Sequence, residues 1–216
     1  MNKENEPSID WIQKRLEEHA RGLMDQDKAT KTAVLIPLIK NKNNQWSVIF
    51  QKRSNQLKRQ PGEISFPGGH WEEEDGDEWI TAQRETSEEL QIPMDSITRL
   101  GELDILYTQA RLIIYPYVGV ITYDQEIIPN PREVEELIEI ELSTLLQTQP
   151  KVYDVTFRVE PSEDFPYHLI PQGKDYPWRA GKVSQLFYEI DGVVIWGLTA
   201  KILSHFLELV AQGRLE

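Results

Sequence analysis

Hydrophobic residues recur along this chain with two different periods, which predict a mixture of strands and helices. Short apolar runs occupy residues 32–39, 46–53 and 63–66, and further runs follow at 99–107, 112–123, 151–159 and 183–190. Runs of this length that are rich in β-branched and aromatic residues are typical of strands. Residues 41–45 have turn composition, so residues 32–53 are expected to form a hairpin. Pro37 predicts an edge position or a bulge for the first strand.

Other segments follow the helical period of 3.6 residues. Residues 8–24 begin at Ser8, a good N-cap, and are expected to form a helix that packs on the domain or takes part in a subunit contact. Residues 193–212 predict a long C-terminal helix that ends at Gly213. Residues 130–146 are expected to begin as a strand and to finish in a short helix.

Composition bounds the class of protein. A chain of 216 residues predicts one domain with an extension, here an N-terminal helical extension at 1–28 and a main domain at 29–216. There is no apolar run of 18 residues and no signal-peptide pattern, and the absence of Cys excludes disulfides and thiol catalysis, so a cytoplasmic location is expected. The net charge of −13 argues against binding to nucleic acid.

One acidic helix carries the candidate chemistry. Its apolar stripe is formed by Trp79, Ala82, Thr86 and Leu90, while three glutamates lie within about 100° of each other on the neighbouring face: Glu85, Glu88 and Glu89. Like charges at this spacing destabilise a bare helix by roughly 0.2–0.5 kcal/mol, and a bound Mg²⁺ or Mn²⁺ would reverse the sign of that contribution. Such a cation would suit a diphosphate substrate. The alternative interpretation is a solvated acidic face.

Neighbouring residues extend this candidate site. Arg84 stands one helical turn before Glu88, so the two are expected to form an ion pair that fixes the carboxylate. The Gly68-Gly69 pair allows a close backbone approach, and a free carbonyl there could complete the metal shell.

The order of these residues resembles the Nudix box, from Gly69 through Asp75 and Arg84-Glu85 to Glu88-Glu89. Three positions depart from its commonest form: Asp75 replaces a Glu, the gap before Arg84 is one residue longer, and Gln91 replaces a Gly. The resemblance implies an α+β fold, the Nudix α/β/α sandwich, with a mixed β-sheet between helices. It also implies Mg²⁺ or Mn²⁺ bound by Glu85, Glu89 and the Gly69 carbonyl. Glu88 would orient or deprotonate a water, and Arg84 would hold Glu88 in place.

A second resemblance lies ahead of the box and is more specific. Arg53-Ser54, Lys58, Gly62 and the run Phe66-Pro67-Gly68-Gly69 are similar to the signature of coenzyme A diphosphatases, and so is the region 187–200. These Nudix enzymes hydrolyse coenzyme A to 3′,5′-ADP and 4′-phosphopantetheine, which makes coenzyme A or an acyl-CoA the expected substrate. Lys58 stands where Arg is usual and keeps the charge without the bidentate fork.

Basic residues next to the box are the expected source of substrate binding. They would neutralise the 3′-phosphate of coenzyme A, which a metal on the diphosphate does not reach. The residues are Arg53, Lys58 and Arg59. The alternative is that they are solvated charges at the end of a strand and on a loop.

Several points stay open at this level. The substrate could instead be ADP-ribose, a dinucleotide or a nucleoside triphosphate, or the fold could serve as a catalytically inactive ligand-binding module. A carboxylate outside the box often assists Nudix enzymes, and three residues are candidates although each is more often a surface side chain: Glu133, Glu135 and Glu136. Tyr167, Tyr176 or Trp178 could stack on an adenine or simply pack their loop. Related proteins are often homodimers, so a homodimer is one expected assembly.

Overall fold

A mixed eight-stranded sheet forms the centre of the computed structural model, which describes residues 8–212. Its strands are β1 (Thr30–Lys40), β2 (Trp46–Arg53), β3 (Ile64–Ser65), β4 (Gly68–His70), β5 (Ile97–Glu102), β6 (Leu106–Tyr107), β7 (Leu112–Ile121) and β8 (Val134–Glu141). Strands β1 and β7 run parallel in the middle of the sheet, and the other pairings are antiparallel. The predicted hairpin of β1 and β2 is confirmed.

The pairing of β1 with β2 opens the sheet where the candidate site lies. The two strands pair only next to their turn, at residues 38–40 and 46–48, and then diverge. The segment 64–70 fills the opening, because β3 pairs with β2 while β4 pairs with β1. This insertion brings the glycines of β4 into the sheet beside the strand that carries Gln51 and Arg53.

Pro37 lies in an interior strand, so the predicted edge position is wrong. Strand β1 pairs with β7 from Thr30 to Leu38, yet neither β2 nor β4 pairs with position 37 on the other side. The backbone N–H of Leu35 points into the opening and donates to the Pro67 carbonyl at 2.9 Å. Because backbone groups alternate along a strand, position 37 also faces the opening, where no ladder hydrogen bond requires a donor.

A second sheet and four α-helices accompany the large sheet in residues 8–212. The small sheet has the order β11-β10-β9, from β9 (Lys151–Phe157), β10 (Gly181–Ile190) and β11 (Val193–Trp196). The helices are α1 (Ile9–Glu17), α2 (Glu78–Leu90), α3 (Leu142–Gln147) and α4 (Gly197–Gln212). None of these helices is long and apolar enough to span a bilayer.

Helices cover both faces of the large sheet, which confirms the predicted α/β/α sandwich. On one face, Leu35 and Ile49 pack with Ala82 and Leu90 of α2. On the other face, alternate strand residues such as Ile36 and Phe50 pack with α4, whose buried residues include Ile202, Leu203 and Phe206. The alternation of buried residues along β1 and β2 therefore produces two cores, one on each side of the sheet.

Both terminal helices are shorter than the sequence predicts. Helix α4 begins at Gly197 because Val193–Trp196 forms β11, after a tight turn in which Asp191 and Gly192 both have positive φ. The predicted end of this helix at Gly213 lies outside the described residues. Helix α1 ends at Glu17, and none of its residues is buried, so it does not pack as a core helix of its own chain. Its role in a subunit contact stays a prediction.

Candidate active site

The two glycines of β4 bring the sheet into contact with the acidic face of α2. The backbone N–H of Gly68 donates to Glu89 Oε2 at 2.9 Å. Gly68 has a φ of 148°, and a Cβ there would lie 2.3 Å from the carbonyl oxygen of Ala33 in β1. This position therefore needs glycine for both its backbone angle and its close approach to the sheet.

Gly69 contacts the second predicted metal-binding carboxylate, Glu85. A Cβ on Gly69 would lie 2.3 Å from the carboxyl carbon of Glu85, so the carboxylate rests directly against the glycine backbone. The structure thus brings together the three predicted metal-binding residues, since Glu85 and Glu89 meet β4 at adjacent positions. Their role as ligands stays a prediction.

Burial sets the electrostatics of this carboxylate pair. Glu89 is only 5% exposed, and burial raises its pKa to about 7, with further contributions from the charges of Glu85 and Glu133. The Gly68 N–H and the Gln51 amide favour its charged form and oppose that shift. Burial likewise raises the pKa of Glu85, Arg84 lowers it, and the charges of Glu88 and Glu133 raise it further.

Glu133 lies outside the box, and its charge raises the pKa of both Glu85 and Glu89. The N–H of Asn130 donates to the carbonyl of Glu89 at 2.9 Å, which fixes the loop before β8 to the end of α2. The carbonyl of Glu133 accepts from the N–H of Ser54 at 2.8 Å, and its side chain is half-buried. The other candidate with a defined contact, Glu135, forms an ion pair with Lys52 at 2.7 Å. The sequence predicts both residues as candidates. Only the fold of the loop before β8 shows that Glu133 lies near the carboxylate pair whereas Glu135 binds a lysine.

Arg84 makes its main contact with Asp75, a residue whose role the sequence pattern does not define. Its Nε and Nη2 donate to the two oxygens of Asp75 at 2.7 and 3.0 Å, and its Nη1 donates to Glu85 Oε1 at 3.1 Å. The predicted pair with Glu88 is present at the longer distance of 3.6 Å. Arg84 therefore mainly anchors the loop that carries Asp75 and orients Glu85, whereas its contact with Glu88 is weaker.

Asp75 is fully satisfied in this position. Besides Arg84, its Oδ2 accepts from the Thr81 hydroxyl at 2.8 Å and from the N–H of Glu72 at 3.1 Å. The Arg84 guanidinium holds the pKa of Asp75 down at about 2. Although the loop before Arg84 is one residue longer than in the commonest Nudix box, Asp75 still lies within hydrogen-bond distance of Arg84.

Glu88 is the most accessible of the three helical glutamates. Its side chain is 58% exposed, compared with 19% for Glu85. An exposed carboxylate at the edge of a buried pair can receive a proton and release it to solvent. This position is compatible with the predicted role of Glu88 in handling a water.

The predicted substrate-binding residues differ in their surroundings. Arg53 is half-buried at the end of β2, and its Nε is enclosed without a hydrogen-bond partner among the described residues. Lys58 and Arg59 are exposed on the loop between β2 and β3 and form no ion pair within residues 8–212. The fold thus sets Arg53 into the sheet and leaves the other two in solvent.

The aromatic residues of the loop 158–180 pack on each other. Phe165 lies edge-on to Tyr167 and to Trp178, with ring centroids 5.0 and 5.6 Å apart, and Tyr176 lies 4.9 Å from Trp178. This cluster favours the interpretation that these side chains pack their own loop.

The donor groups fit a divalent cation in an open site. Within the described range, no three His, Asp or Glu side chains enclose a position compactly enough to hold a metal alone. However, the half-buried Glu85 and the buried Glu89 both meet β4, and the negative charge of Glu85 raises the pKa of Glu89. The enclosed amide of Gln51 lies next to Glu89. Mg²⁺ commonly takes one or two carboxylates and obtains its other ligands from water and phosphate.

Comparison with known proteins places the chain in a family. The model of the NUDIX domain matches residues 29–160. Nudix hydrolase 22 (chloroplastic) and Nudix hydrolase 15 (mitochondrial), both of Arabidopsis thaliana, are 30% and 32% identical over 84% and 83% of this chain. The chain spans 56% and 58% of the length of those two relatives.

A mammalian relative is matched over more of its own length. The mitochondrial coenzyme A diphosphatase NUDT8 of Mus musculus is 33% identical over 192 residues, which cover 87% of this chain and 81% of that protein. The domain match and this coverage agree with the box geometry and the α/β/α architecture described above. The chain therefore belongs to the Nudix hydrolase family.

Proposed function

We propose that this chain hydrolyses the diphosphate of coenzyme A or of an acyl-CoA, with Mg²⁺ or Mn²⁺, to 3′,5′-ADP and 4′-phosphopantetheine. The observation that carries the proposal is the convergence of the Glu85 and Glu89 carboxylates on the glycine backbone of β4. Glu89 is buried, Glu85 is half-buried, and Glu85 shares the Arg84 guanidinium with Asp75. The resulting excess of negative charge favours binding of a divalent cation.

Glu85, Glu89 and the Gly69 carbonyl would hold that cation. When it is bound, the cation neutralises charge on the diphosphate oxygens and makes a coordinated water more acidic. Arg84 keeps Glu85 in place, since it is itself fixed by two hydrogen bonds to Asp75.

Glu88 is the proposed general base. It accepts a proton from the attacking water while the water oxygen forms a bond to phosphorus and the bridging P–O bond breaks, which leaves the displaced phosphate as the second product. Its exposure allows the proton to pass to solvent afterwards. Glu133, half-buried near the pair, is the second candidate for this step.

The substrate assignment rests on the loop before β3 and on the relatives. Coenzyme A diphosphatases of mouse are among the similar proteins, and Arg53, Lys58 and Arg59 supply positive charge on a chain whose net charge is −13. A 3′-phosphate far from the diphosphate needs such a source of charge.

A product assay tests the reaction directly. Purified protein is incubated with MgCl₂ or MnCl₂ and, in parallel, with coenzyme A, ADP-ribose, NADH and dATP, and the products are identified by mass. We expect 3′,5′-ADP and phosphopantetheine to appear fastest. Faster cleavage of another substrate would support a different Nudix hydrolase, and no cleavage with either metal would support an inactive binding module.

A pair of substrates tests the basic loop. Dephospho-coenzyme A lacks only the 3′-phosphate, so Lys58→Ala should raise KM for coenzyme A about tenfold and leave KM for dephospho-coenzyme A almost unchanged. Lys42→Ala, at another exposed lysine in the turn between β1 and β2, is the matched control. Equal effects on both substrates would contradict recognition of the 3′-phosphate by Lys58.

A further inference from the structure

Gln51 is a fully buried side chain whose hydrogen bonds are not satisfied. It is 0% exposed, and neither its Nε2 nor its Oε1 has a well-formed hydrogen bond to any residue that the structure describes. Most buried polar atoms in folded proteins are paired, because an unpaired one loses its hydration without compensation. An amide enclosed in this way indicates a missing partner.

Two other unpaired groups occur on the same pair of strands, β2 and β3. Ser65 is directly opposite Gln51 in the pairing of β2 with β3, and its hydroxyl is also enclosed without a partner in the described part of the chain. Arg53 lies two residues further along β2, and its Nε is likewise buried without a hydrogen-bond partner among the described residues. Paired residues in antiparallel strands share a face, so the Gln51 and Ser65 groups form one polar patch.

This patch lies on the side of the sheet that α2 covers. Ile49, two residues before Gln51, packs in the core between the sheet and α2, and period-two alternation puts Gln51 on the same face. Glu89 of α2 reaches this region, where the Gly68 N–H holds its Oε2 at 2.9 Å. The Gln51 amide is close enough to the Glu89 carboxylate to favour its charged form.

We propose that Gln51, with Ser65 beside it, is a positioning residue that orients Glu89 for a divalent cation in the active site. The amide has one donor side and one acceptor side, so it can donate to Glu89 while its oxygen accepts from a water in the site. Groups behind a metal ligand orient it in this manner, and their loss typically weakens metal affinity about 10–100-fold. The inference rests on the metal site of the proposed function and adds residues from outside the Nudix box.

A nearly isosteric apolar variant separates this role from a structural one. Gln51→Met keeps the volume and removes both unpaired polar atoms, so the metal-free protein should unfold at the same temperature or a higher one. Its affinity for Mn²⁺, measured by calorimetry or by electron paramagnetic resonance without substrate, should fall about 10–100-fold. Ser65→Ala, a smaller change, should weaken Mn²⁺ binding in the same direction.

Ser47 supplies the matched control. It is fully buried on the same face of β2, four residues before Gln51, and its hydroxyl also has no partner within residues 8–212. Because it lies at the other end of the strand, opposite Glu141, Ser47→Ala should leave Mn²⁺ affinity unchanged.

The outcomes distinguish this inference from the proposed function. Wild-type affinity in Gln51→Met overturns the inference alone, as does a loss of thermal stability without a loss of affinity, because both describe a structural residue. An absence of Mn²⁺ binding by the wild type overturns the proposed metal site together with this inference. Hydrolysis of a substrate other than coenzyme A leaves the inference unaffected, since the titration contains no substrate.

Discussion

Two buried carboxylates of this chain have pKa values that move in opposite directions. Asp75 faces the Arg84 guanidinium, which lowers its pKa to about 2, whereas burial raises the pKa of Glu89 to about 7. Burial acts on both carboxylates, but Asp75 has a cation within hydrogen-bond distance that outweighs it. Glu89 has only the Gly68 N–H and the Gln51 amide to oppose its burial, and the charges of Glu85 and Glu133 add to the upward shift. Asp75 therefore stabilises the fold, while the charged form of Glu89 opposes it.

Asp75→Asn should lower the free energy of unfolding by on the order of 2 kcal/mol at pH 7. The pKa of Asp75 is depressed in the folded state, so its contribution is complete above about pH 4 and is lost as the pH falls towards 2. The deficit of the variant should shrink over that window, as measured by urea denaturation at several pH values. The exposed Asp124 provides the control Asp124→Asn, and a deficit independent of pH would contradict the argument.

Glu89→Gln should abolish hydrolysis while stabilising the metal-free protein at pH 8. The raised folded-state pKa means that the wild type loses stability as the pH rises from about 4.5 to about 7, and a neutral amide avoids this loss. The two proteins should have similar melting temperatures near pH 4 and should differ at pH 8. Added MgCl₂ should raise the melting temperature of the wild type only.

Glu74→Gln makes the same chemical change at an exposed position in the loop before α2 and should alter neither property. Near-normal hydrolysis by Glu89→Gln would reject Glu89 as a ligand.

At the scale of elements, the opening between β1 and β2 is the feature that builds the site. The segment 64–70 closes it, and its two glycines meet different kinds of neighbour. The nearest neighbour of a Cβ on Gly68 would be the backbone of Ala33, whereas the nearest neighbour of one on Gly69 would be the end of the Glu85 side chain. Backbone in a sheet cannot move aside as a side chain can.

Gly68→Ala and Gly69→Ala should therefore have different effects. Gly68→Ala should destabilise the fold by several kcal/mol, since it also has a positive φ that alanine disfavours. Gly69→Ala should displace the Glu85 carboxylate, with a small loss of stability and a large loss of Mn²⁺ affinity and turnover. Thermal melts and Mn²⁺ titrations of both variants check this, and equal destabilisation would show that the two contacts are equivalent.

At the scale of the whole molecule, the N-terminal helix is separate from both cores. None of the residues of α1 is buried, whereas α4 contributes residues such as Leu203, at 0% exposure, to the core on one face of the sheet. A helix of nine residues is marginal by itself in water. The stability of the domain therefore depends on the part of the chain after it.

A variant that begins at residue 20 should have a free energy of unfolding within about 0.5 kcal/mol of that of the full chain, because changes at the surface seldom exceed that value. Leu203→Ala is the positive control and should cost about 2–5 kcal/mol. Chemical denaturation of the three proteins provides the measurement. A large loss on truncation would mean that α1 is held by a contact with the domain or with a second copy.

Much of the candidate site follows from local sequence. The helical period puts Glu85, Glu88 and Glu89 on one side of α2, and the buried stripe Ala82, Thr86 and Leu90 is confirmed. These features depend on the direction of side chains around a single helix or strand, which the spacing of residues determines.

Which of these groups meet depends on contacts between segments that are distant in the sequence. The burial of Glu89, the approach of Glu133, the pairing of Arg84 with Asp75 and the enclosure of Gln51 all depend on segments far apart in the chain. The start of α4 also depends on strand pairing. Residues Val193–Trp196 pair with β10 as a strand, so the helix begins only after them. Residue spacing defines where a side chain points, but the pairing of distant strands and loops determines what it faces, and that neighbour sets its charge, its pKa and its chemistry.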